Sequence, residues 1–128
     1  MATAAFQPDR GWWERLFAAI DARDADRFIA FLTADAEFRF GNAPAVRGRE
    51  AIRAAVAGFF TMIAGCRHRL RGQWNGPGTT VGEGEVTYTR RDGTTVTIAF
   101  ADIFELRGQQ IASYRIYIDN TPLFSPGS

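Results

Sequence analysis

The sequence contains no lysine, and all fifteen of its cationic side chains are arginine. That absence removes Schiff-base catalysis, covalently held pyridoxal phosphate and a phosphate-binding P-loop together. A single cysteine, Cys66, forbids an internal disulfide, and with a single histidine, His68, there is no His/Cys cluster to hold zinc. The three serines, Ser113, Ser125 and Ser128, never stand in a Gly-x-Ser-x-Gly setting, which argues against a serine hydrolase. Residues 1–10 carry no apolar run and no stretch approaches a membrane span, so a cytoplasmic protein with no membrane partner is expected. Fourteen acidic residues nearly cancel the arginines, and a net charge of +1 gives no general pull toward nucleic acid. Neither a metal nor a cofactor is expected. Chemistry must come from carboxylates, tyrosine, arginine or the one imidazole.

What is present is apolar bulk. Hydrophobic residues make up 46% of the 128, and eleven are Phe, enough for one domain (1–128, core about 12–119, tail 120–128) with a cavity in its core. Trp12, Trp13, Leu16, Phe17 and Ile20 recur at helical spacing. Asp24 or Asp26 is placed to cap a second, shorter helix carrying Phe28, Phe31 and Leu32. Residues 37–40 alternate as a strand does, and 41–44 form a turn cluster. A third helix is expected over 49–64, with Gly65 as its stop.

The second half reads as strands at 67–74, 80–90, 94–106 and 110–119, with Asp92-Gly93 as a hairpin signal. Helices followed by a meander of long strands mean an α+β fold, with the helices over one face of a curved sheet. In the third of these strands Val96, Ile98, Phe100, Asp102, Phe104 and Leu106 share a face, which puts a carboxylate in the middle of an apolar stripe. By the same alternation Tyr114 and Ile116 point inward, as do His68, Leu70 and Trp74. The strand at 80–90 has two phases. A three-residue loop with Gly93 left-handed puts Val86 and Tyr88 on the face of Asp102, whereas a two-residue turn would bury Glu83 and Glu85 there instead.

The chain resembles the nuclear-transport-factor-2-like superfamily, and within it the SnoaL-like polyketide cyclases and ketosteroid isomerase-like proteins. The resemblance is carried by Asp24-x-Asp26, by Phe31-Leu32-Thr33-Ala34-Asp35-Ala36, by Arg47-Gly48-Arg49-Glu50-Ala51-Ile52, and by the run from Asp102 through Gly108-Gln109-Gln110-Ile111 to Tyr117-Ile118-Asp119. It implies a cone-shaped, cystatin-like sheet of mixed or antiparallel strands wrapped around three helices. It also implies a deep apolar pocket and commonly a homodimer, here through the outer sheet face with Arg115 and Tyr117. Asp102 looks like the strand carboxylate that such isomerases use as a protonated donor and cyclases use as acid or base. The isomerase's tyrosine and catalytic base fall at Leu16 and Phe40, both apolar, and Phe100 stands where epoxide hydrolases keep an arginine.

Asp102 and His68 are therefore the candidate catalytic pair, with Trp74, Tyr88, Phe100, Phe104, Tyr114 and Ile116 as candidate walls for a small apolar molecule. The implied activity is cofactor-independent isomerisation, cyclisation, dehydration or hydrolysis. The alternative is a non-catalytic binding or protein-interaction module of the same fold. The Arg67/Arg69/Arg71 stripe reads as a solvated face or dimer contact, not a nucleic-acid surface.

Overall fold

The computed structural model describes residues 6–124. The chain runs α1 (Arg10–Asp21), α2 (Ala25–Ile29), β1 (Leu32–Phe40), β2 (Val46–Arg47), α3 (Arg49–Thr61), β3 (Gly65–Gly76), β4 (Thr79–Thr89), β5 (Thr95–Arg107), β6 (Gln110–Ile118) and α4 (Thr121–Phe124). The six strands form one curved, open sheet in the order β2-β1-β6-β5-β4-β3. All neighbours are antiparallel except β1 and β6, which run parallel. Among the described residues, no helix is long and apolar enough to cross a membrane.

The helices start where side chains can satisfy free backbone donors. Asp9 accepts from the Trp12 amide at 2.8 Å and Asp24 from the Arg27 amide at 3.1 Å. The apolar stripe of α1 is buried along its length and lies on the sheet, where the Trp13 ring stacks on Phe104 at 4.6 Å and Phe104 packs on Tyr114 at 4.2 Å. Each fully buried ring of this kind contributes about 1.5–3 kcal/mol of apolar transfer, so this layer anchors α1 to the sheet.

Several boundaries differ from the sequence pattern, and α2 ends at Ile29, so of its expected residues only Phe28 is helical and Phe31 and Leu32 lie beyond it. β1 begins at Leu32, not at residue 37, because a register irregularity between Leu32 and Glu37 interrupts the alternation. α3 ends at Thr61, and Gly65 opens β3 by pairing with Thr89 instead of stopping the helix. Within 120–128, residues 121–124 form α4, and 125–128 lie outside the described residues.

The hairpin between β4 and β5 settles the ambiguous phase. The Arg90 amide donates to the Thr94 carbonyl at 2.7 Å, which leaves a three-residue loop with Gly93 at φ +91°. Val86 and Tyr88 consequently share the inner face with Asp102, and Glu83 and Glu85 point out.

Candidate functional site

Strand register builds the site. Across the inner face one row runs Gly82, Asp102, Ile116 and Phe40, and the row beside it runs Gly84, Phe100 and Ile118. The helices stand over these rows and enclose a cavity of about 350 Å³. Its wall takes Phe28 from α2, Phe59 and Phe60 from α3, Phe38 and Phe40 from β1, and Cys66 and His68 from β3. Tyr88 from β4, Phe100 and Asp102 from β5 and Tyr114 and Ile116 from β6 also line it, as do residues 42–44 and Asn120.

Asp102 is 2% exposed, and its Oδ1 has no hydrogen-bond partner. Burial among apolar groups raises its pKa well above the usual carboxylate value. Tyr114 and Tyr88 are also pushed up. Burial is the main cause for each; the Asp102 carboxylate adds to it at both, and Cys66 does so at Tyr88.

His68 lies on the same wall but belongs to a different polar group. Its Nδ1 is 2.6 Å from Asp21 Oδ1, and its backbone amide donates to Asp21 Oδ2 at 2.9 Å. The ring is stacked on Phe17 at 4.5 Å and meets Phe100 edge-on at 5.4 Å, so its plane is fixed on both sides. Cys66, two residues earlier on the strand, donates its thiol to Asp21 Oδ1 at 3.5 Å. Burial, reinforced by that carboxylate, drives the thiol pKa up, away from a reactive thiolate. Asp21, Cys66 and His68 are the one group of metal-ligating type found among the described residues, their ligand atoms all within 4.8 Å of one another. The 2.6 Å contact is a hydrogen bond; two tetrahedral ligands of one zinc ion, at bonds of about 2.0–2.1 Å, would stand farther apart.

Of the residues read as ligand walls, Tyr88, Phe100, Tyr114 and Ile116 line this cavity along with Asp102 and His68. Phe104 does not: it is fully buried beneath the cavity, sandwiched between Trp13 and Tyr114. Trp74 does not either. A bulge between Leu70 and Gly72 inserts one residue into β3, so Gln73 pairs with Gly82 and Trp74 with outward-facing Val81. Trp74 is 58% exposed as a result. Asp21 was not anticipated. It sits off the apolar stripe at the last turn of α1, and nothing nearby in sequence announces a partner 47 residues on.

A family model described as a SnoaL-like domain matches residues 13–114. The chain belongs to the SnoaL-like family. No curated protein matches it. Solved structures agree on the architecture of this SnoaL-like protein. An NTF2-like protein of unknown function from Burkholderia pseudomallei superposes with a TM-score of 0.78 at 16% identity, covering 87% of this chain and 90% of that one. A candidate SnoaL-like polyketide cyclase from Jannaschia sp. CCS1 gives 0.75 at 19% identity, covering 87% and 85%. An LEH-like epoxide hydrolase from M. tuberculosis gives 0.72 at 17% identity, covering 84% and 79%. The fold of the SnoaL-like chain is thus one shared by cyclases, isomerases and epoxide hydrolases.

Proposed function

We propose that this SnoaL-like protein binds a small apolar carbonyl, enol or hydroxy compound and carries out cofactor-free acid/base chemistry on it. The observation that carries this reading is that Asp102 and His68 share the wall of one apolar cavity. A buried carboxyl with a raised pKa keeps its proton to higher pH than an ordinary one, and in that form donates a hydrogen bond to a carbonyl oxygen on which negative charge develops. Asp21 holds the Nδ1 side of His68, so Nε2 is the nitrogen available to take a proton. Isomerisation, cyclisation and dehydration all begin with such a proton removal beside an activated oxygen.

The test needs no knowledge of the natural substrate. Cyclohexyl methyl ketone is held with the protein in D₂O, and exchange of its α-protons is followed by NMR. The protein should accelerate exchange, and Asp102→Asn and His68→Gln should each remove most of the acceleration. Binding without exchange would favour the second reading, a module that holds a ligand without turnover. Leu16 and Phe40 favour that reading, being apolar where the isomerases carry a tyrosine and a base.

The same proposal includes a homodimer through the outer sheet face. Trp74 and Tyr117 are more than half exposed there, and Trp74, Val81 and Ile103 form one cross-strand row. Light scattering should give twice the mass of one chain at about micromolar concentration.

A further inference from the structure

Among the described residues, the cavity wall carries one carboxylate and no arginine, although the chain has fifteen. Its remaining lining is mostly apolar, with six Phe and two Tyr rings among aliphatic side chains. The only imidazole is already engaged by Asp21, a second carboxylate, through Nδ1. Among the described residues, Asp102 Oδ1 is buried with no hydrogen-bond partner. An unpartnered buried carboxylate is destabilised until something supplies a hydrogen or a positive charge. Ring faces carry partial negative charge and attract cations that have shed their water. A ligand bearing a phosphate or carboxylate finds nothing here to neutralise it. One bearing a basic nitrogen, already protonated, releases the carboxyl proton to solvent and finds both a counter-ion and π faces.

We infer that the cavity also takes a small alkylammonium ion, its N–H directed at Asp102 Oδ1 and its alkyl groups against the Phe and Tyr rings. The local field agrees in sign: Tyr88, Tyr114 and Cys66 are each pushed toward their neutral forms by burial and, beyond that, by the Asp102 or Asp21 carboxylate. The nearest arginine influence falls on Cys66, from Arg23, whose guanidinium is turned to the Ile63 carbonyl at 3.2 Å. The inference rests on the cavity being a ligand site, as proposed above, and adds the charge class of one kind of occupant.

N,N-dimethylcyclohexylamine and cyclohexyl methyl ketone have the same number of non-hydrogen atoms and nearly the same shape, and at neutral pH only the amine is charged. Titration calorimetry of the unaltered protein with each should show the amine binding roughly tenfold tighter. Asp102→Asn keeps the shape and loses the charge, and should reduce amine affinity by about tenfold or more, and by more than it reduces ketone affinity. Ketone binding equal to or tighter than amine binding, or amine affinity unchanged in Asp102→Asn, would overturn the inference and leave the ligand cavity standing. The comparison of the two probes on the unaltered chain decides the matter even where the variant folds poorly. If neither probe binds at millimolar concentration, the cavity is not a site for such molecules, and both proposals fall together.

Discussion

Gly82 lies directly across the sheet from Asp102, paired with it in the β4–β5 register. A Cβ at Gly82 would come within 2.7 Å of the Trp13 ring, so the indole occupies the space that a side chain would take. The missing side chain thus lets α1 press down on the sheet beside the buried carboxylate. Gly82→Ala should overpack this layer and destabilise the fold by about 1–3 kcal/mol. Urea denaturation would check it, and an unchanged midpoint would mean that Trp13 has room to move.

Trp13 depends on a second polar relay. Its indole N–H donates to Thr80 Oγ1 at 3.1 Å, Thr80 donates to Asn75 Oδ1 at 2.7 Å, and Asn75 donates to the Pro8 carbonyl at 2.9 Å. Thr80 is fully buried. Thr80→Val keeps the shape and leaves the indole N–H without an acceptor, which should cost about 1–3 kcal/mol in the same measurement.

The carboxyl of Asp102 makes stability depend on pH with a definite sign. Its pKa is higher in the folded chain than in the unfolded one, so the folded form holds the extra proton between the two values. The stabilisation is complete below the ordinary aspartate value of about 3.9 and is lost as pH rises through the folded value. Asp102→Asn does not titrate. Its melting temperature relative to the parent should therefore rise with pH above about 4, and a constant offset between pH 4 and 9 would count against a buried, unpaired Asp102.

Asp21 should matter to His68 more than to the fold. Asp21→Ala frees Nδ1, so the proton is no longer confined to that nitrogen and the ring loses one of its restraints. Ring ¹⁵N shifts should change from one tautomer to a mixture, and any ketone exchange should fall by about a hundredfold, the contribution of one positioned base. Unaltered ring shifts would show that Phe17 and Phe100 alone hold the imidazole.

Much of this arrangement was legible in advance, and the exceptions have local causes. The inward phase of Asp102 and His68 could be read because alternation is unbroken around Asp102 and, up to Leu70, around His68. The phase of Tyr88 hung on loop length alone, which Gly93 decides by its left-handed backbone. Trp74 went astray because one inserted residue reverses every later side chain and leaves no mark in composition. Phe104 does face inward, as the alternation predicts. Period-two patterning cannot say whether an inward ring meets a void or, as here, the plane of Trp13. The Asp21–His68 contact joins a helix end to a strand and has no local signature at all.

The bulge in β3 has an effect beyond the orientation of Trp74. β3 is the longest exposed margin of the sheet, and a straight margin of that length invites a second chain to add a strand. The irregularity at Leu70 and Gly72 breaks the even spacing of backbone groups that an incoming strand would need. Arg10 reaches across from α1 and occupies the Leu70 carbonyl at 2.7 Å. Arg67, Arg69 and Arg71 line the same margin with like charge, so two such margins repel each other. Strand-by-strand addition of further copies is thereby opposed along this edge.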